Sequence, residues 1–289
     1  MSETVLYDVQ GPKARRRVLL GSILGALLVA VLLGLAVRRL AANEQFAADL
    51  YLPFVEEPDL YRRLWTGLRN TLKAAAYALV LALVLGTVLA FGRLSGRTFL
   101  RVPAIAIIEF FRGVPLLLLI LFFFLAFPLA FGIDVPPLYA LVFGLTLYNG
   151  AVIAEIIRAG VLSLPKGQTE AALATGLTRG QTLRLVLLPQ AVRIMLPALV
   201  SQLVVLLKDT SLGFVIGFEE LLRIGGQAVQ VLGNPIQLYV LIALIYITIN
   251  IALGRLAGYL EGRQRRTYGS AVPAQTVESG LGQAGGAPP

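Results

Sequence analysis

The 289-residue chain contains no cysteine and no histidine. The first absence removes disulfides and thiolate nucleophiles; the second removes His-dependent triads, and the two together remove the usual zinc sites. No GxxxxGK[ST] stretch occurs, so the chain carries no recognisable cradle for nucleotide phosphates. Charge is scarce, 14% of residues against 57% hydrophobic, and mean hydropathy is +0.79. Such values belong to a membrane protein. The net charge of +9 does not point to nucleic acid, because no basic stripe is interleaved with stacking aromatics. Lysine and arginine gathered at one membrane surface account for it better.

What is present is a series of apolar runs. Crossing the hydrocarbon takes about 20 apolar residues, and six segments qualify: 18–37, 68–92, 104–131, 138–158, 192–217 and 236–258. The first follows "KARRR" but is too long for a signal-peptide core. Arg38 and Arg39 stand where small cleavage-site residues belong, so it reads as a retained anchor. Lys13 and Arg15 to Arg17 precede that span, and Arg93, Arg97 and Arg101 lie between spans two and three. Lys166, Arg179, Arg184 and Arg193 lie between spans four and five, and Arg263, Arg265 and Arg266 follow span six. Six crossings put all four groups, and both termini, on one side, which the positive-inside rule makes cytoplasmic. Glu44, Asp49, Glu56, Glu57 and Asp59 fall on the other side; Arg38, Arg39, Arg62 and Arg63 run against the trend.

The organisation expected is a cytoplasmic tail over 1–17, an extra helix and external loop over 18–63, and a bundle over 64–260. A basic tail over 261–289 ends the chain, its residues 268–289 too small and polar to order themselves. No internal repeat is evident, so a partner chain is needed to enclose any central pathway.

One stretch is out of keeping with the rest. "EAALATGLTRGQTLRLVLLP", Glu170 to Pro189, is half polar and sits in the longest loop, 159–191. Ser163 and Pro165 suit the first turn of a helix through Glu170, Ala171 and Ala172. Gly176 fits a left-handed helix end, and Thr178 with Gln181 matches a capping box that starts a second helix. Pro189 marks a break before span five. Two short helices across the membrane face are expected, with small residues outward on the first. By itself the pattern also fits an interfacial amphipathic loop.

Ionisable residues inside spans cost roughly 2.5–3.5 kcal/mol each at the bilayer centre. Glu109 with Arg112, and Glu155 with Arg158, share helix faces at a spacing of three and read as local ion pairs serving assembly. Adjacent Lys208 and Asp209 point about 100° apart and cannot simply pair. They face a cavity, another helix or a second subunit, and with Asn149 and Ser211 they are the candidate substrate pathway. Pro197 is expected to kink span five, and Pro115 to break or re-aim span three.

The motif Glu170–Ala171–Ala172, then Gly176, then Leu188–Pro189, resembles the EAA-type loop of ABC-importer permeases, with Val186 where isoleucine is frequent. "LYNGAVIAEIIRAGVLSLPKGQTEAA", "LLPQAVRIMLPAL", "LLKDTSL" and "EFFRGVPLL" are similar to the polar amino-acid uptake branch, over roughly residues 64–260. The start, "LYDVQGPKARRR" with span one, looks like that of actinobacterial-type glutamate-uptake permeases. The resemblance implies an all-α type I importer permease: a five-helix core plus one N-terminal helix. It implies no catalytic residue and no cofactor in this chain, ATP and magnesium being bound by separate ATPase subunits. An extracytoplasmic substrate-binding protein and a second permease chain, identical or sister, complete the set. Glu170, Ala171, Ala172 and Gly176 would then form the helix that docks on the ATPase. The alternative class is an ion-coupled secondary carrier, which leads one to expect inverted repeats and unwound half-helices.

Overall fold

Prolines and glycines punctuate the apolar runs. Pro12, Pro53, Pro58 and Pro137 each open a helix, where a missing N–H costs nothing. A computed structural model of the protein describes residues 11–268; residues 1–10 and the expected disordered stretch beyond 268 lie outside the described residues. Among the described residues every regular element is helical. In chain order these are α1 (Pro12–Ala42), α2 (Pro53–Glu56), α3 (Pro58–Leu94), α4 (Thr98–Gly113), α5 (Leu116–Leu121) and α6 (Phe127–Phe131). Then follow α7 (Pro137–Leu162), α8 (Lys166–Ala174), α9 (Arg179–Gln181), α10 (Leu188–Asp209), α11 (Leu221–Leu232) and α12 (Pro235–Tyr268). Five of the helical stretches are long and apolar enough to cross a membrane, and a bent pair can supply a sixth.

That bent pair corrects the expected span 104–131 and bears out the expected break at Pro115. Its first half is α4 and its second runs from α5 through α6, Leu116–Phe131, and the two halves meet at 99°. Pro115, the N-cap of α5, is the cause: it disfavours helical backbone at Val114, which is extended at ψ 129°.

Pro189 is the second correction. Instead of breaking the chain it sits in the first turn of α10, and the helical path is unbroken from Arg179 to Ile216. The turn before it, Thr182–Leu187, is π-helical. Proline offers no N–H and crowds the carbonyl four residues back. Widening that turn by one residue relieves both demands without ending the helix. The same device recurs at Phe122–Ala126, immediately before Phe127 and Pro128. Pro197, in turn, lies inside α10 without ending it.

The bundle packs around α7. On α3, Gly67, Thr71, Ala75, Ala78, Ala82, Gly86 and Ala90 are buried at spacings of three and four, a stripe of small residues along one face. Small side chains allow close backbone approach where lipid gives no hydrophobic drive to associate. A Cβ on Gly86 would meet the Gly150 carbonyl of α7 at 2.8 Å, and one on Gly144 would meet the Ile120 backbone nitrogen at 3.0 Å. α1 stands apart, with 0% of its span buried. Its trailing loop is held by α12 and the residue before it: Gln237 Nε2 donates to the Gln45 carbonyl at 2.7 Å and Asn234 Nδ2 to that of Leu50 at 3.0 Å.

Candidate functional site

The polar loop between α7 and α10 is a tightly closed hairpin. Ser163 belongs to the end of α7, not the start of α8: its Oγ donates to the Gly160 carbonyl at 2.8 Å. Pro165 is the residue before α8. At the far end of α8 the Leu177 N–H reaches the Ala172 carbonyl at 3.2 Å and the Gly176 N–H that of Leu173 at 3.0 Å. This is the Schellman arrangement, and it needs Gly176 at φ +87°. Thr178 and Gln181 then close the capping box, the Thr178 N–H donating to Gln181 Oε1 at 2.9 Å. Gln190 Nε2 donates to Gln168 Oε1 at 3.1 Å, stapling α10 to α8.

On α8, Glu170 and Ala171 are exposed, whereas Ala172 is buried. Only one of the two alanines therefore faces outward, because neighbours on a helix diverge by about 100°. The second expected short helix is likewise not separate. α9 flows through the π-helical turn into α10, so the hairpin's second limb is the foot of a membrane span.

The two expected ion pairs exist, and a residue outside both joins them. Arg158 Nε donates to Glu155 Oε2 at 3.0 Å, and Arg112 lies 3.8 Å from Glu109. Arg93, at the end of α3, contacts Glu109 at 3.1 Å and Glu155 at 2.8 Å. Glu155 Oε1 receives the guanidinium's charge without a hydrogen bond of good geometry. Three arginines and two carboxylates thus tie α3, α4 and α7 together at the end where the hairpin begins. Arg112, Tyr148, Val152, Glu155 and Arg158 also line a cavity of about 430 Å³.

The other candidates do not form one cluster. Asn149 is fully buried between helices; its Nδ2 donates to the Leu145 carbonyl at 2.8 Å, and its Oδ1 accepts from Gln202 Nε2 at 2.7 Å. Gln202 on α10 went unnoticed in the sequence, although an amide inside an apolar run was the signal. Lys208 is exposed on a face of α10 that also carries Ile194, Ala198, Ser201 and Val205. No ion pair reaches Lys208 among the described residues. Asp209 and Ser211 are half-buried, on either side of the fully buried Thr210.

Glu220 is the polar residue that sequence reading missed altogether. It is fully buried as the N-cap of α11, accepting from the Arg223 N–H at 2.6 Å and the Leu222 N–H at 2.8 Å. Tyr246 Oη donates to it at 3.0 Å. Burial outweighs these bonds and raises its carboxyl above the ordinary value of 4.5. A raised folded-state value means stability present below that ordinary value and lost as pH climbs through the folded one. In thermal unfolding at stepped pH, the wild type is therefore expected to lose ground to Glu220→Gln as pH rises past 4.5. A constant difference between the two proteins would contradict this.

Comparison with known proteins adds four findings. Residues 82–266 match the family described as "Binding-protein-dependent transport system inner membrane component". The chain is 43% identical over 250 residues to the glutamate transport system permease protein of Corynebacterium glutamicum, covering 82% of this chain and 89% of that one. It is 37% identical over 200 residues to the glutamine transport system permease protein of Escherichia coli, covering 69% and 91% respectively. A solved amino acid ABC transporter "with histidines" superposes with a TM-score of 0.68 at 32% identity, over 74% of this chain and 98% of that one.

Proposed function

The chain belongs to the family of binding-protein-dependent transport system inner membrane components, and from that premise we propose a specific division of labour within it. It is a permease subunit of an amino-acid ABC importer. The hairpin around α8 is the part that meets the ATPase, Glu170 and Ala171 lying on its outer face and Gly176 closing its end. The observation that carries this reading is continuity. The hairpin is closed at its far turn by Gly176 and the Thr178–Gln181 box, stapled by Gln168 and Gln190, and runs without a break into the helix that ends at Ile216.

That geometry transmits movement. Nucleotide can shift a membrane conformation only through different affinities for the two states, so displacement at the ATPase must reach the spans undamped. ATP closure of two ATPase subunits draws two such hairpins together and opens the pathway outward, where a binding protein releases its ligand. Hydrolysis returns it inward. The hairpin lies on the cytoplasmic side with both termini, and ATP and magnesium reside on the ATPase. A second permease chain supplies the other wall, against the face of α10 that carries Lys208.

Glutamate or a close relative is the cargo. The glutamate permease of C. glutamicum shares 43% of aligned residues. Lys208, exposed and in no ion pair among the described residues, offers a cation for a carboxylate of such a substrate. In proteoliposomes containing the complete complex, glutamate uptake is expected to require ATP. Unlabelled glutamate should compete best among glutamate, glutamine, arginine and histidine. Uptake driven by an ion gradient with no ATP present would refute the importer reading; best competition by arginine or histidine would refute only the cargo.

A further inference from the structure

A second cavity, of about 870 Å³, opens between the α3–α4 turn and the start of the hairpin's second limb, Thr178 to Arg184. Its lining includes Arg97, Arg179 and Arg184 but no carboxylate, and its walls are apolar at Phe91, Leu94 and Leu183. The guanidinium of Arg179 reaches towards the turn: a Cβ on Gly96 would lie 3.4 Å from its Nη1. None of the three arginines enters an ion pair among the described residues, whereas the nearby Arg93, Arg112 and Arg158 are each matched to a glutamate. All three are exposed, so their charge is free to meet an anion from outside the chain.

We propose that this cavity seats the phosphodiester headgroup of an anionic phospholipid, with the start of an acyl chain along Phe91, Leu94 and Leu183. Exposed apolar neighbours favour a lipid over a soluble anion. Phe99 and Leu185 beside the cavity are 69% and 61% exposed, as fits side chains facing hydrocarbon. The cavity also sits on the face that collects basic residues, where headgroups of anionic lipids gather. Arginine is suited to such groups because its planar fork bonds two phosphate oxygens at once. A lipid held there bridges the α3–α4 turn to the hairpin, so lipid composition becomes an input to coupling. This site is independent of which amino acid is carried.

The test is native mass spectrometry of the intact complex, equilibrated with phosphatidylglycerol or phosphatidylcholine. The wild type is expected to retain phosphatidylglycerol selectively, against millimolar glycerol phosphate. Replacing Arg97, Arg179 and Arg184 together by glutamine should reduce that retention more than tenfold, and Arg97→Gln alone about fivefold, the scale of one surface cation on an anionic lipid. The charge-matched triple Arg15→Gln, Arg16→Gln, Arg17→Gln should retain it. Melting temperatures close to the wild type's establish folding; if the cavity triple fails there, Arg97→Gln, which lies outside the hairpin, decides. Equal losses from both triples, or none from the cavity variants, overturn the proposal. Displacement by glycerol phosphate overturns it in favour of a soluble anion. Binding that appears only after the ATPase is stripped away overturns it in favour of an acidic protein partner.

Discussion

Glu170→Lys is expected to release the ATPase from the purified complex and to reduce ATP-driven uptake at least a hundredfold. Glu170 is exposed at the middle of α8, and no hydrogen bond or ion pair holds it among the described residues. Its own chain therefore has no use for its charge, and surface changes of this kind move stability by only about 0.5 kcal/mol. At an interface the arithmetic differs. Reversing one member of a close charge pair loses an attraction and adds a repulsion, a swing of roughly 2–5 kcal/mol or more. Pull-down of the ATPase and uptake by the same vesicles should fall together while the melting temperature holds. Retained ATPase with full uptake would remove α8 from the coupling role.

Arg93→Gln should have the largest effect on folding. Its side chain is 17% exposed and that of Glu155 18% exposed, so solvent cannot replace the lost cation. Leaving a mostly buried carboxylate with one fewer counter-charge costs about 3 kcal/mol. A second substitution, Glu155→Gln, should restore part of that loss, because it removes the charge left behind. Non-additivity of this sign, measured as unfolding midpoints of the two single variants and the double, is what coupling through a shared ion contact requires. Additive losses would mean that Arg93 acts through packing alone.

Most of what was legible in the sequence is encoded over short distances. The Thr178–Gln181 box and the Gly176 cap each fit within a few residues, and both form as expected. The pairs Glu109–Arg112 and Glu155–Arg158 are also local. Arg93 was read only as one of the basic residues that orient the bundle, since nothing near it hints at two glutamates on other helices. Glu220 escaped for the opposite reason: it sits in a stretch that resembles an external connection. Its burial follows from α3 and α12 closing over it, with the Leu221 N–H on Thr71 and the Tyr246 hydroxyl on its carboxylate. Pro189 misled because proline is normally a helix boundary, and a single widened turn is invisible to hydrophobic period.

Those widened turns have a bearing on assembly. A regular α-helix advances about 100° per residue. One surplus residue at Thr182–Leu187 therefore rotates everything downstream by about that angle while the helix keeps its course. Ile194, Ala198, Ser201, Val205 and Lys208 owe the direction they look to this upstream phase shifter. A descendant chain that dropped the residue together with the proline would fold into an equally sound helix, yet offer its neighbour a different side.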